Sequence, residues 1–460
     1  MKKWPVLSLI LAEGIFFTLK VLGIQFRFGD PTAYWYMAHA VSQGVLPYKD
    51  FFLADPPVFL FFLVPIVWLV GKHLIFLQLV PPLLEMATAA LLFLYCSREK
   101  LQFAWLAPWV YLFSFTILST SDYGTGLQLA TLLFVTGSLF AQSKRWYTTG
   151  IFFALSVLTK LYVAPLVLGC IFWLVLQKKS TALVKITAAG VLTTAVCCLP
   201  FVFLDHTAFF RDTLLHHFSR PLGVSKISVF LLFFMLDGYG VALTAISGYF
   251  YKRNWFLLPL LFELLFFALF QDVYYAYLGI LIPFVSYFTV LFFEKVPAVS
   301  ELQKNIRMLI LTTGALWLVV IKGVYLVVYY PQGISRSTRH WSEVLSLKKD
   351  AYPVYGSHEV APLIALRANK QIFQNIIDTN LQTFGSGVHA VEPITAAALR
   401  SGVYLVTRVY FTAAGRPNSF DAQRYFTTEA FTHSCELVGQ DTVSADHTDG
   451  VAVFFCKEKN

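Results

Sequence analysis

The reading of this chain turns on the stretch from Phe26 to Pro57, FRFGDPTAYWYMAHAVSQGVLPYKDFFLADPP. It follows one apolar run, VLSLILAEGIFFTLKVLG, and precedes another, VFLFFLVPIVWLV. Asp30, Asp50 and Asp55 thus stand in a long aromatic loop whose flanks are suited to lipid. Of the 460 residues 57% are hydrophobic and 13% charged. Soluble domains carry about 25% charged residues, so the chain reads as a polytopic membrane protein. The formal charge of +9 does not indicate nucleic acid. The basic residues form short clusters between apolar runs, where membrane topology puts them. Glu13 interrupts the first apolar run and no small-residue cleavage site follows, which predicts an uncleaved first helix.

Apolar segments fall at 7–24, 58–71, 74–96, 104–118, 125–142, 151–177, 186–204, 227–250, 255–270, 273–293 and 308–329. A crossing needs roughly 20 apolar residues, and a run of about 10–14 more often lies at the interface. The segment 58–71 is therefore expected to lie against the outer face. The segment 151–177 contains Lys160 and is expected to form two short crossings around an outward turn. The clusters Lys2/Lys3, Arg98/Lys100, Lys144/Arg145, Lys178/Lys179/Lys185, Lys252/Arg253 and Lys295/Lys304/Arg307 then all fall inside. The expectation is an α-helical polytopic protein of the plasma membrane with about eleven crossings, a cytoplasmic N-terminus and an external C-terminal tail.

The domain reading is a transmembrane module over 1–330 and a small extracytoplasmic α/β domain over 331–460. The tail holds twelve basic and twelve acidic side chains. PVYG (353–356), VYLVTR (403–408) and VAVFFC (451–456) read as strands, and SFDAQRYFTTEAF (419–431) as a helix capped by its serine. Cys435 and Cys456 can pair if the tail faces an oxidising compartment. Cys96, Cys170, Cys197 and Cys198 read as small hydrophobes.

Under this topology the external polar groups are Asp30, Lys49, Asp50, Asp55, Lys72, Asp122, Lys160, the stretch Asp205–Lys226 and QDVYYAY at 271–277. Carboxylates and cations thus meet beside an apolar bundle. Such a set suits transfer from a lipid-linked anionic donor: a carboxylate takes the proton of the attacking group and cations stabilise a departing phosphate. His39, His73, His206, His216 and His217 are external too but lack the i, i+4 pairing of a zinc site, so no metal ligands are expected.

The elements GDPTAYWYMAHAVSQGVLPYKDF, DPPVFLF, SDYGTGLQLATLLF, GIFFALSVLTKLYVAPL and DVYYAYLGILIPF resemble, in order, those of the GT-C glycosyltransferases. The similarity is to the branch with protein O-mannosyltransferases and the lipid A aminoarabinose transferase. It is carried by Asp30, Tyr34, Ala38, Gly44, Pro47–Tyr48 and Pro56–Pro57. The resemblance implies an inverting transferase that uses a polyprenyl-phosphate sugar, with a glycan, lipid or protein acceptor on the outer face and membrane lipids as its surroundings. Asp30 is the implied base and Asp122 a substrate-orienting carboxylate. Lys160, Arg220 and Arg211 are the phosphate-binding candidates, and Tyr34, Tyr48, Asp55, Tyr274 and Tyr275 the substrate-binding ones. No cofactor is expected, with a divalent metal left open. The chain departs from the family where Asp30 precedes Pro31 instead of a second acid, which bears on metal dependence. Asp55 also replaces the basic residue before Pro56–Pro57, which bears on phosphate contacts.

Structural alternatives exist for several of these residues. Asp30 and Asp122 can each cap a helix, Lys160 can snorkel, and the tyrosines can belong to an interface belt. The rival functions are a carrier for lipid-linked sugars, which needs a polar path through the bilayer, and a catalytically silent polyprenyl-phosphate-binding relative.

Overall fold

The computed structural model describes residues 3–24, 26, 29–71, 73–250, 254–295, 305, 309, 313–314, 316, 320, 334–387, 390–410, 422–426, 428–442 and 449–458. The crossing expected over 308–329 falls almost wholly outside them, as do Lys2, Lys252, Arg253, Lys304, Arg307 and Ser419. Among the described residues five helices are long and apolar enough to cross a membrane: Trp4–Leu22, Leu74–Arg98, Ser180–Ser219, Lys226–Tyr249 and Tyr275–Glu294. Val58–Val70, Leu127–Gln142, Trp146–Thr159, Leu161–Leu176 and Leu257–Leu269 are shorter apolar helices.

The chain forms two compact units. The first comprises Met1–Ile24, Leu79–Cys197 and Leu222–Tyr330, and the second Gln25–Gln78, Cys198–Pro221 and Pro331–Asn460. The opening loop therefore shares a unit with the tail.

In the first unit, the helices Leu127–Gln142 and Trp146–Thr159 pack as a hairpin. Phe134 stacks on Phe153 and Phe140 on Phe152, with centroids 5.3 and 5.4 Å apart. Helix Ala164–Leu176 lies so close to Leu257–Leu269 that a Cβ on Gly169 would sit 2.5 Å from the Cα of Pro259. Only glycine allows that approach, the usual device where helices meet in lipid. Between the hairpin and this helix, the chain breaks at Lys160 (φ −155°, ψ 119°), the residue at which the sequence predicts a turn.

The run 104–118, expected as one crossing, is instead two short helices, Leu106–Leu112 and Phe115–Thr120. Ser114 causes the break. Its Oγ accepts the Ile117 amide at 3.2 Å, and Asp237 accepts the Phe115 and Thr116 amides at 2.7 and 3.0 Å. A serine that satisfies free amides stabilises a helix start over a helix interior. Buried Glu85 likewise accepts from the Tyr111 hydroxyl.

Three helices of this unit end alike. Val80–Arg98, Leu127–Gln142 and Ala164–Leu176 are followed by Lys100, Lys144 and Lys178 in the left-handed conformation, at φ 59°, 57° and 52°. Each lysine amide and the next one turn back on the last carbonyls; Lys144 bonds Ala141 at 2.9 Å and Arg145 bonds Phe140 at 3.0 Å. This closes the helix end. A side chain in that conformation costs about 1–2 kcal/mol. A cation beside the negative end of the helix offsets about 0.3–1 kcal/mol of that cost.

The second unit holds a four-stranded sheet of β1 (Val354–Gly356), β2 (Val403–Tyr410), β3 (Cys435–Thr442) and β4 (Asp449–Cys456), in the order β1-β2-β4-β3. The β1–β2 pair is parallel and the other two pairs are antiparallel. Three of the strands coincide with the strand readings of the sequence; β3 is additional. Tyr355, Phe373, Leu399, Leu405 and Tyr425 form the core beside it. Cys435 and Cys456 stand opposite each other in register and are joined by a disulfide. The helix expected over 419–431 is interrupted, because Thr428 is extended and its side chain caps a new helix, Glu429–Ser434, through the Phe431 amide.

Candidate functional site

Within the second unit, helix Asp30–Ser42 starts from Gly29, whose φ of 101° favours glycine, with Pro31 in its first turn. The helix packs on Val58–Val70, with Tyr34 against Phe59 at 5.1 Å. The Tyr34 hydroxyl donates to a carboxylate oxygen of buried Asp55, and the Tyr48 hydroxyl donates to the Asp55 carbonyl at 2.8 Å. Burial pushes the Tyr34 phenol well above its usual range, with Asp55 and Asp30 adding to the rise. Asp50 closes the intervening turn by accepting the Leu46 amide at 2.8 Å. At that turn Tyr48 holds a φ of 67°. For a bulky residue this costs of order 1–3 kcal/mol and persists only where surroundings dictate it. Here those are Asp55, Phe201 and Phe209.

The loop is tied to the tail. The Gly29 amide donates to the Glu359 carbonyl at 3.3 Å, the Ile372 amide to the Tyr36 hydroxyl at 2.8 Å, and Arg367 lies over the Phe26 ring at 5.3 Å. These contacts bring Asp30 beside His358, with Oδ1 3.8 Å from Nε2. The Asp30 side chain is 41% exposed and that of His358 18%. Asp378 completes the cluster. Its carboxylate accepts from the Asn380 amide at 3.1 Å and the Thr383 hydroxyl at 3.0 Å. Burial raises its carboxyl above the usual range; His358 opposes the rise and Asp30 adds to it. A histidine between two carboxylates, one of them open to solvent, can accept and share the charge of a proton transfer.

Arg220 and Arg211 lie in the same unit. Arg220 Nε donates to His216 Nε2 at 3.1 Å, so Nδ1 of that ring carries the proton and meets the Ser386 hydroxyl at 3.1 Å. His217 Nε2 donates to the Ala54 carbonyl at 2.8 Å. Both histidines are buried and hold the chain that presents Arg220. Arg211 pairs with its neighbour Asp212 at 2.8 Å.

The remaining predicted residues belong to the first unit. Asp122 forms an ion pair with Lys20 at 3.9 Å, their side chains 14% and 2% exposed. Lys20 also donates to the Leu118 carbonyl. Lys160 is buried, with its ammonium 5.8 Å from the Tyr162 ring. Tyr162 packs on Tyr277 at 4.5 Å, and Tyr277 on Tyr274 at 5.6 Å. The Tyr275 hydroxyl bonds the Thr116 hydroxyl at 2.8 Å. Among the described residues no cluster of three or more histidine, cysteine or acidic side chains is placed to hold a metal ion.

Sequence reasoning missed His358, Asp378, His216 as a partner of Arg220, and Lys20 as a partner of Asp122. No local motif marks the first two. Lys20 was detectable as a cation near the end of an apolar helix.

No protein-family model matches the chain, and no curated protein matches it. Solved structures do. The fold is similar to that of ArnT from Cupriavidus metallidurans bound to undecaprenyl phosphate, at a TM-score of 0.62 and 12% identity over 98% of each chain. The apo state of ArnT gives a TM-score of 0.62 and 13% identity over the same shares. Arabinofuranosyltransferase AftD from Mycobacteria gives a TM-score of 0.59 and 14% identity over 100% of this chain and 40% of that one. ArnT and AftD are both of the GT-C superfamily, and at such identities the likeness is one of fold.

Proposed function

We propose that this GT-C-fold chain is an integral membrane glycosyltransferase that moves a sugar from a polyprenyl-phosphate carrier to an acceptor on the outer face of the membrane. The observation that carries the reading is the 41% exposed Asp30 carboxylate at the head of its helix, beside His358 and half-buried Asp378. The acceptor hydroxyl or amine attacks the anomeric carbon as its proton passes to Asp30. The carbon–oxygen bond to phosphate breaks, and the polyprenyl phosphate leaves with the electron pair. The attack is from the opposite side, so the configuration inverts. His358 positions Asp30 and shares the charge it gains or loses. Arg220, held by His216, is the cation of this unit that we assign to the phosphate. The roles of Asp122, Lys160, Tyr274 and Tyr275 rest on the expected topology and the family resemblance.

Two facts support the choice of lipid and side. ArnT, which shares the fold over nearly the whole chain, has been solved with undecaprenyl phosphate. The Cys435–Cys456 disulfide fits an oxidising compartment, and so an extracytoplasmic tail. The test exposes purified wild type and Asp30→Asn to a panel of radiolabelled polyprenyl-phosphate sugars. Consumption of a donor by wild type alone supports the reading. Donor binding without consumption by either protein overturns it in favour of a carrier or a silent relative.

A further inference from the structure

A cavity of about 200 Å³ opens in the first unit, where the ends of several helices meet. It takes no part in the proposed transfer. Its polar lining is incomplete. Ser138 is fully buried, and among the described residues its hydroxyl, the Gln142 carbonyl oxygen and the Trp255 indole N–H have no hydrogen-bond partner. The other end of the Gln142 amide donates to the Tyr95 carbonyl at 3.3 Å, which leaves its oxygen as a free acceptor. A buried polar group is stabilised by a partner, so three around one cavity suit a polar ligand.

The rest of the lining states its chemistry. Lys144 and Lys179 supply two exposed cations, and the Lys179 ammonium sits 4.8 Å from the Trp173 ring. Trp146 is the first residue of helix Trp146–Thr159, whose N-cap residue, Arg145, makes no side-chain cap bond. Helix starts and lysines favour a phosphate. The indoles of Trp146, Trp173 and Trp255 suit the boundary between headgroup and acyl chain. Gln142 then calls for a donor on the ligand. A phosphocholine headgroup has none to offer, and an ammonium headgroup meets two lysines of like charge. A hydroxyl meets neither objection.

We propose that this cavity binds a glycerol-phosphate type of anion, a phosphate ester carrying a free hydroxyl, presented by an anionic membrane phospholipid. The phosphate faces Lys144, Lys179 and the Trp255 N–H, the hydroxyl donates to Gln142, and Ser138 bonds either. Basic clusters mark this end of the helices, and by charge distribution it is the cytoplasmic one.

The test is native mass spectrometry of the full chain, delipidated and titrated with phosphatidylglycerol or phosphatidylcholine. Wild type is expected to retain one phosphatidylglycerol with at least a tenfold preference. Gln142→Leu and Lys179→Gln should each lose the preference with an unchanged melting temperature, and Lys179→Arg should keep it. Competition by free glycerol 3-phosphate separates the sources. No displacement at millimolar concentration identifies the lipid, whereas full displacement identifies a soluble ester at the same site. Equal retention of the two lipids by wild type overturns the proposal. So does an undiminished preference in both Gln142→Leu and Lys179→Gln, since the lipid then binds elsewhere.

Discussion

Asp30 and Asp122 look alike in the sequence, each an acidic residue placed just before a helix in an otherwise apolar region, and the two units treat them differently. In the second unit Asp30 keeps 41% of its side chain exposed and has His358 at 3.8 Å. In the first, Asp122 is 14% exposed and holds the ammonium of Lys20, itself 2% exposed. A carboxylate with an open face can take a proton from an incoming group. One that pairs with a buried cation serves the packing, because removing it withdraws one of the negative charges around that cation. The contrast separates chemistry from support, and it can be broken experimentally.

The largest expected effect is on Asp30. Asp30→Asn should lower transfer by about 10²–10⁴-fold, the usual worth of a general base, with melting unchanged. A loss of folding instead of activity would erase the contrast with Asp122. Second is the disulfide of the unit that holds Asp30, which joins residues 21 apart. Replacing both cysteines with alanine should cost roughly 3 kcal/mol of stability. Denaturation followed by proteolysis should show the tail opening first.

Asp122→Asn comes third. We expect about 2 kcal/mol of destabilisation, less than a fully buried pair gives because the two charges are 3.9 Å apart. Lys20→Met in the same chain should restore most of it, and thermal melts in detergent would show this. If the double variant is stable yet inactive, Asp122 takes part in chemistry after all. His358→Asn is fourth, with about tenfold slower transfer and a displaced pH–rate profile, since a positioning residue acts through the base it faces.

The smallest effect concerns pH. The folded carboxyl of Asp378 titrates above its unfolded value of about 3.9, because burial disfavours the charge. Its contribution to stability is whole below about pH 3.9 and is lost as pH rises through the higher folded value. Asp378→Asn should flatten that part of the stability profile in chemical denaturation at stepped pH.

Much of this was legible in the residues. Apolar runs locate the helices because lipid leaves few alternatives for the backbone. The break at Lys160 is legible because a lone cation divides a run too long for one crossing. The strands around Tyr355, Leu405 and Val453 carry apolar residues of a buried sheet. β3 is not legible because CELVGQDT is polar, with a bulge between Leu437 and Gly439, and takes its conformation from pairing with β4 at the sheet edge. The division of 104–118 was hidden for a related reason: Ser114 is one polar residue in an apolar run, and its effect depends on Asp237, far along the chain.

Taken alone, the sequence determines that this is a helical membrane protein, which loop carries its acidic residues, and that Asp30 is the one to test first. For the first two, composition and local spacing suffice, since each rests on the free energy of placing a residue type in lipid or water; the choice of Asp30 rests on the family resemblance. Only the tertiary structure decides that His358 and Asp378 stand beside Asp30, that Lys20 claims Asp122, and that Ser138, Gln142 and Trp255 face one cavity. Those relations depend on distances of a few ångströms between distant parts of the chain, and packing alone sets them.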